Sequence, residues 1–190
     1  QQVSKWRNRL KDPEKYRAML FGAAYAKAMV EVNDTTAAKW TGDPESYTPA
    51  KYIEAARKVM GDIDLDPASN ALAQKTVKAK DWYDEDEDGL VQNWKGRVFL
   101  NPPYAYPIVA HFIDKLCDEF ASKGITSAIL LTNNNTDTKW WHRAAAYASA
   151  VCFTAGRINF YKADGSLTQP TNGQTFFYFG EDVISFRQVF

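Results

Sequence analysis

Cysteine is scarce in this sequence, which holds only Cys117 and Cys152 among its 190 residues. Both lie in apolar stretches and neither belongs to a spaced Cys/His cluster, so they predict buried, reduced thiols and no metal site. No apolar run is long enough to cross a bilayer, and the N-terminus has no signal-peptide pattern. We therefore expect an intracellular protein without a membrane partner. The start at Gln1 is typical of a processed chain or of a domain cut from a longer protein, which leaves room for a partner domain upstream.

Net charge is also lacking, because 23 basic and 23 acidic residues give a formal charge of +0. Binding to DNA phosphates requires Lys and Arg, so this balance alone argues against a nucleic-acid partner. Six of the acids, however, fall in one short segment, residues 81–88. The rest of the chain then carries 23 basic against 17 acidic residues, which permits a basic surface elsewhere.

Strand-like and helix-like segments alternate along most of the chain. The first helical pattern runs to about residue 32, and a second begins where Thr48 can cap and Pro49 fits the first turn. Short apolar strands at 63–65, 98–100 and 127–132 alternate with helices at 108–122 and 139–147. The last predicted elements are strands at 150–153, 176–179 and 183–190, the final two forming a hairpin.

This order predicts an α/β fold with a mostly parallel sheet and an antiparallel C-terminal hairpin. We divide the chain into an N-terminal helical arm, residues 1–40, and a catalytic domain, residues 41–190. Three polar clusters follow predicted strands, and ligands of open parallel sheets bind at such strand ends. The clusters are Asp66-Pro67-Ala68-Ser69, Asn101-Pro102-Pro103-Tyr104 and Asn133-Asn134-Asn135-Thr136.

The Asn101-Pro102-Pro103-Tyr104 cluster carries the most specific chemistry. Its two prolines remove backbone donors and fix the chain just past a strand. The loop then presents the Asn101 amide, carbonyl oxygens and one aromatic face. The Asn101 side-chain oxygen and the Pro102 carbonyl can accept the two N–H bonds of an adenine amine, which frees its lone pair for attack on a methyl group. Tyr104 can stack on a base rotated out of the helix.

A purely structural interpretation remains for several of these residues. The Pro-Pro pair can simply end a strand, with Tyr104 packed inside. Asn133 to Asn135 can be turn residues, whose side chains can also line the site. Trp140 and Trp141 are expected in the core, and the two histidines, which have no ligand partners, are given no catalytic role.

Several blocks in order resemble the phage and prophage DNA N6-adenine methyltransferase family, the phage Dam type. The resemblance covers 47–190, about three quarters of the chain. The matching blocks are Ser46-Tyr47-Thr48-Pro49, Asp62-Ile63-Asp64-Leu65-Asp66-Pro67-Ala68-Ser69, Asp88-Gly89-Leu90 with Trp94, Asn101-Pro102-Pro103-Tyr104, Thr136-Asp137-Thr138-Lys139-Trp140-Trp141, and Gly156-Arg157-Ile158-Asn159-Phe160-Tyr161.

The resemblance implies a Rossmann-like fold that binds S-adenosyl-L-methionine and methylates a flipped adenine in double-stranded DNA. It implies cofactor contacts from Tyr47, Thr48 and Pro49, from Asp66, Pro67 and Ala68, and from Asp88. It also implies that Phe160 packs against the flipped base, and Lys139 and Arg157 are candidate phosphate contacts. A phage or prophage enzyme in the bacterial cytoplasm, protecting DNA from restriction, is the corresponding biological hypothesis.

The sequence departs from the family pattern in two respects. The usual Gly-rich cofactor loop is missing, because Asp66-Pro67-Ala68-Ser69 contains no glycine. Only about 35 residues separate the two strands that precede Asp66 and Asn101, which is too few for two further strands and two helices. We therefore expect a sheet shortened on that side, and Asp81, Asp84 and Asp88 all remain candidates for the ribose-binding acid.

Other functions fit parts of this pattern. A cytosine-N4 methyltransferase more often has Ser or Asp at the position of Asn101. A protein-glutamine methyltransferase resembles this loop but carries a Gly-rich first motif, which is absent here. An RNA adenine methyltransferase also fits, since a flipped base looks similar from the pocket. A catalytically silent nucleic-acid-binding domain on a methyltransferase scaffold would explain the missing glycines and the neutral charge. Binding of S-adenosyl-L-methionine separates this last reading from the enzymes.

Overall fold

The computed structural model describes residues 46–190, which contain six strands and five helices. In chain order these are α1 (Ala50–Met60), β1 (Leu65–Asp66), α2 (Gln74–Val77), β2 (Asp81–Trp82), β3 (Gly96–Leu100), α3 (Ile108–Ala121), β4 (Ile125–Asn133), α4 (Lys139–Tyr147), β5 (Ala150–Phe153), β6 (Gln174–Phe179) and α5 (Val183–Val189). The predicted N-terminal arm, residues 1–40, lies outside the described part of the chain.

The six strands form one sheet in the order β2-β1-β3-β4-β6-β5. Strands β1 to β4 pair in parallel. Strand β6 runs antiparallel to both of its neighbours, β4 and β5. The predicted α/β class, with a mostly parallel sheet and an antiparallel pair near the C-terminus, is confirmed.

The hairpin predicted between strands 176–179 and 183–190 is wrong. Residues 183–190 do not form a strand, since Val183–Val189 is helix α5. The Asp182 side chain accepts a hydrogen bond from the Ser185 backbone N–H over 2.9 Å and so caps this helix. Phe186 then stacks on Tyr178 at 5.2 Å between ring centroids. The antiparallel neighbours of β6 are instead β4 and β5, and a long excursion through residues 154–173 separates β5 from β6 in the chain.

The sheet buries apolar side chains on both faces. On one face Ile129 and Leu131 join Phe176 and Tyr178 in a cluster with residues of α1 and α5. On the other face Trp141 of α4 packs against Phe177, with ring centroids 5.3 Å apart. Strand β4 is therefore covered on both sides, which explains its nearly continuous apolar sequence.

The side of the sheet next to β1 is short, as predicted. Between β1 and β3 the chain forms only the four-residue helix α2 and the two-residue strand β2. Strand β1 itself has two residues and joins β3 through the Leu65↔Val98 register pair. Loops make up most of this stretch, and they carry most of the acidic segment, residues 81–88.

The two cysteines and the neighbouring tryptophans Trp140 and Trp141 were expected to be buried. Cys117 is buried and Cys152 half-buried, so the expectation of full burial is wrong for Cys152; neither forms a disulfide. Trp140 and Trp141 are buried, as predicted.

Within residues 46–190, no helix has the length and apolar character needed to span a bilayer. The same residues contain no group of three or more His, Cys, Asp or Glu side chains that could hold a metal ion.

Candidate active site at the carboxyl edge of the sheet

The three predicted polar clusters lie at one edge of the sheet. Strands β1, β3 and β4 are parallel neighbours, so their carboxyl ends point the same way. Leu65 pairs with Val98, and Leu100 pairs with Leu130. The loops that begin at Asp66, Asn101 and Asn133 therefore emerge side by side, which is the arrangement of a binding site in this class of sheet.

The Asn101 side chain is held by its nitrogen. Its Nδ2 donates to Thr48 Oγ1 over 3.2 Å and to the Ser46 backbone carbonyl over 3.3 Å. Both acceptors belong to the segment just before α1, more than fifty residues away in sequence. With the nitrogen engaged in this way, the carboxamide turns its oxygen away from that segment.

The oxygen of Asn101 faces Tyr104. The Tyr104 hydroxyl donates to Asn101 Oδ1 over 2.6 Å and lies 3.4 Å from the Leu131 backbone carbonyl. Burial raises the pKa of the Tyr104 phenol far above its usual value, so the group remains a hydrogen-bond donor at all ordinary pH values. The residue as a whole is half-buried, with its hydroxyl turned inward.

The segment before α1 connects several parts of the site. The backbone of Tyr47 pairs with that of Tyr161 through two hydrogen bonds, 2.8 and 3.0 Å long. The Tyr47 hydroxyl accepts from Asn70 Nδ2 over 3.3 Å. The predicted capping role of Thr48 was wrong, because Pro49 is the N-cap residue and the helix carries no side-chain cap. Thr48 is only 7% exposed, and its hydroxyl accepts the hydrogen bond from Asn101 instead.

Asp66 ends β1 as a buried carboxyl group. Gln74 Nε2 donates to Asp66 Oδ2 over 3.0 Å and to Ser69 Oγ over 2.7 Å. Burial raises the pKa of Asp66 to about 7, against the lowering effect of hydrogen bonds from Ser69, the Ala68 backbone and Gln74. Near neutral pH the Asp66 carboxyl group is therefore present in both its protonated and its ionised form.

Asp88 lies close to the loop that follows β1. A Cβ atom added to the adjacent Gly89 would stand 1.9 Å from the Pro67 carbonyl oxygen, so the two backbones are in direct contact. The Gly89 carbonyl accepts from Trp94 Nε1 over 2.7 Å, and Trp94 is 1% exposed. This anchor brings the predicted cofactor residues Asp66, Pro67 and Asp88 together.

The other two candidate acids differ from Asp88 in their surroundings. Asp88 is 6% exposed, and its carboxylate accepts from the Leu90 backbone N–H over 3.2 Å. Asp84 uses its Oδ1 on two backbone N–H groups of its own turn. Asp81 is exposed on β2. Of the three, only Asp88 is a buried carboxylate beside the loop after β1.

Of the predicted DNA contacts Lys139, Arg157 and Phe160, the first two are exposed and the third is buried. Lys139 is exposed at the first turn of α4. Arg157 is also exposed, and its Nη1 donates to the Pro170 carbonyl over 3.2 Å. Phe160 is only 4% exposed and belongs to the hydrophobic cluster around Leu131. Its ring therefore offers no open face for a base in this structure, because the cluster covers it.

Gln174 is a structural residue of the site that the sequence pattern did not reveal. It is 2% exposed, its Oε1 accepts from the Ile158 backbone N–H over 2.7 Å, and its Nε2 donates to the Asn172 carbonyl over 2.8 Å. Its Nε2 also lies 3.5 Å from Asn133 Oδ1. The sequence signal that could have indicated it is a glutamine at the start of a largely aromatic strand, β6. Through these bonds it ties both ends of the excursion 154–173 to the sheet.

Comparison with known proteins yields one family. The family model described as DNA N-6-adenine-methyltransferase (Dam) matches residues 34–181, well over half of the 190-residue chain. A search of curated protein sequences finds no significant match. The α/β sheet described above is consistent with a methyltransferase fold.

Proposed function

The chain belongs to the DNA N-6-adenine-methyltransferase (Dam) family, and from this premise we propose that Asn101-Pro102-Pro103-Tyr104 is the loop that receives the target adenine. We propose further that S-adenosyl-L-methionine is the methyl donor. The observation that carries the proposal is the Asn101 carboxamide, held by its nitrogen at the carboxyl edge of the sheet. The fold alone would not specify this chemistry.

The orientation of Asn101 suits the activation of an amine. The lone pair of the adenine N6 is delocalised into the ring, which makes the nitrogen a poor nucleophile. Asn101 Oδ1 and the Pro102 carbonyl oxygen can accept its two N–H bonds and draw the nitrogen toward tetrahedral geometry. Acceptors fixed before the substrate arrives do not have to reorganise during the reaction, which is the usual source of such rate enhancement. Proximity to the methyl donor contributes the rest.

The residues around β1 fit a cofactor with a diol, an amine and a carboxylate. Two buried carboxyl groups, Asp66 and Asp88, lie at adjoining loops and offer acceptors for hydroxyl and amine groups. Tyr47, Thr48 and Pro49 border the Asn101 loop from the other side. When bound, S-adenosyl-L-methionine supplies the electrophilic methyl group. Asp66, Pro67, Ala68 and Asp88 would hold one part of it, and Tyr47 and Pro49 another.

The DNA side of the proposal rests on exposed groups near the same edge. The Tyr104 ring would stack on the flipped adenine, while Lys139 and Arg157 would contact phosphates. Lys139 begins the helix that follows β4, and Arg157 lies in the excursion after β5. Both elements leave the sheet at the carboxyl ends of their strands, where Asn101 lies.

The decisive experiment measures transfer of labelled methyl from S-adenosyl-L-methionine to unmethylated duplex DNA, followed by nucleoside analysis. We expect N6-methyladenine with the wild-type chain. Asn101→Ala should lower the rate by at least about a hundredfold, since it removes one fixed acceptor. Thr132→Val, a substitution of a buried residue that belongs to neither proposed loop, is the control and should leave the rate unchanged.

Three results would contradict parts of this proposal in distinct ways. Transfer that persists in Asn101→Ala would remove the loop from the mechanism. Cofactor binding without transfer to DNA would move the substrate to RNA or protein. Absence of both would favour a catalytically silent nucleic-acid-binding domain, the alternative that the sequence left open.

A further inference from the structure

The Asn101 carboxamide has a fixed partner that the family match does not specify. Asn101 Nδ2 donates to Thr48 Oγ1 over 3.2 Å and to the Ser46 carbonyl over 3.3 Å. Thr48 is 7% exposed, so its hydroxyl is shielded from water that could replace this bond. A buried hydroxyl with a polar partner is costly to replace by an apolar group.

Thr48 is itself held rigidly. Tyr47, the preceding residue, forms two backbone hydrogen bonds with Tyr161. Pro49, the following residue, has φ −58° and is the N-cap of helix α1. Thr48 is thus fixed from both sides of the chain, and its hydroxyl presents a stationary acceptor to Asn101.

The Ser46 carbonyl decides which way the amide turns, and the Thr48 hydroxyl holds it in that orientation. If the carboxamide rotated by half a turn, its oxygen would face the Ser46 carbonyl, which has no proton to donate. The Thr48 hydroxyl adds a second attachment at the same nitrogen and limits tilting about it. With Ser46 alone, the amide would retain a single bond at 3.3 Å.

We propose that Thr48 is a positioning residue that orients the Asn101 carboxamide for the reaction, a role that rests on the proposed function of the Asn101 loop. It acts through Asn101: the Ser46 carbonyl selects the orientation in which the amide oxygen is offered to the adenine amine, and the Thr48 hydroxyl limits tilting away from that orientation. The resemblance described above implies a cofactor contact for Thr48, whereas the hydrogen bonds assign it to the catalytic loop. The two roles predict different kinetics.

The test compares Thr48→Val, which removes the hydroxyl at nearly constant volume, with Thr48→Ser, which keeps it. Thr132→Val is the matched control, because it makes the same change at a buried threonine of β4. We expect Thr48→Val to lower kcat by about tenfold to a hundredfold. The Kd for S-adenosyl-L-methionine and the KM for DNA should stay within about threefold. Thr48→Ser should recover most of the rate.

Three kinetic outcomes would overturn the assignment. An unchanged kcat in Thr48→Val would show that the hydroxyl does not position Asn101. A loss of cofactor affinity that accounts for the whole loss of rate would make Thr48 a cofactor ligand. Equal losses in Thr48→Ser and Thr48→Val would also overturn it, because serine retains the acceptor.

A second measurement keeps this proposal separate from the proposed function. The side-chain amide of Asn101 can be observed by ¹⁵N NMR in the full chain and assigned by its loss in Asn101→Asp. We expect slow hydrogen exchange of this amide in wild type and Thr48→Ser, and faster exchange in Thr48→Val. If the wild type transferred no methyl group, this difference would still support the positioning role, and its absence would overturn it.

Discussion

The hydroxyl of Tyr104 donates to Asn101 Oδ1 over 2.6 Å, the same atom that would accept the adenine amine. The contact joins residues at either end of the proposed catalytic loop. A carbonyl oxygen has two lone pairs, so it can hold this bond and accept a second one. The relationship therefore leaves the proposed acceptor available and braces it from the side of Tyr104.

Substitution of Tyr104 should separate the contribution of its ring from that of its hydroxyl. Tyr104→Phe keeps the aromatic face for stacking, and Thr48 with Ser46 still orients the amide. We expect transfer within about fivefold of wild type. Tyr104→Ala removes the aromatic face. We expect kcat/KM to fall at least about tenfold, mostly because lost stacking raises the KM for DNA.

Steady-state methyl transfer on one duplex substrate measures both variants. Binding of S-adenosyl-L-methionine serves as the control, since neither change should alter it. If Tyr104→Phe lost as much activity as Tyr104→Ala, the hydroxyl bond would be essential and the stacking role would not be supported.

Gly89 should tolerate no larger side chain. A Cβ there would lie 1.9 Å from the Pro67 carbonyl oxygen, so the loop after β1 or the loop at Asp88 would have to move. We expect Gly89→Ala to lower the free energy of unfolding by about 2 kcal/mol or more. It should also weaken binding of S-adenosyl-L-methionine, because Asp66 and Asp88 would separate.

Gly173→Ala is the matched control for this substitution. Its added Cβ would meet Asn134 at 3.8 Å, an ordinary van der Waals distance. Urea denaturation should show a change within about 0.5 kcal/mol, as at most unconstrained positions. Equal effects of the two substitutions would mean that the close Gly89–Pro67 contact does not limit side-chain size at position 89.

The carboxyl group of Asp66 should make stability depend on pH. Burial raises its pKa from 3.8 to about 7 in the folded state. Between about pH 4 and about pH 7 the folded protein therefore binds more protons at this site than the unfolded chain. The contribution of Asp66 to the free energy of unfolding is greatest at low pH and decreases as pH rises through this window.

Asp66→Asn removes this dependence while keeping a polar side chain of similar size. Urea denaturation of wild type and variant across the same window isolates the contribution, because other titrating groups cancel in the difference. We expect the variant to gain stability relative to wild type as pH rises. A constant difference would show that Asp66 ionises at its ordinary pKa in the folded protein.

The positions of most elements could be predicted from local sequence pattern. Helix α4 and strand β5 have the predicted bounds, and the three polar clusters lie at one sheet edge as expected. Hydrophobic periodicity and strand ends are local signals, so these predictions needed no tertiary information. The shortened side of the sheet followed from chain length alone.

The errors arose where tertiary packing or a distant partner decides the outcome. The segment after Asp182 is short and apolar enough for either state, and the Asp182 cap with the Phe186–Tyr178 stack selects a helix. Thr48 fits the profile of a helix cap, but its hydroxyl binds Asn101, 53 residues away. No local pattern contains such a pairing. Burial of Phe160 likewise depends on residues contributed by several strands.

Two facing threonines provide a test of hydrogen-bond satisfaction inside the sheet. Thr132 of β4 pairs with Thr175 of β6, and both are 0% exposed. Thr175 Oγ1 donates to Asn134 Oδ1 over 3.1 Å. Thr132 Oγ1 has no hydrogen-bond partner among the described residues. The same substitution should therefore have opposite effects at the two positions.

We expect Thr132→Val to raise the free energy of unfolding by about 1 kcal/mol, since it removes a buried hydroxyl that gains no bond. Thr175→Val should lower it by about 1 kcal/mol, because it leaves the Asn134 oxygen without this donor. Urea denaturation of both variants at one pH measures the pair. If both changes destabilised the protein equally, loss of side-chain hydrogen bonding would not distinguish the two sites, and the Thr132 hydroxyl would have to be as well satisfied as that of Thr175.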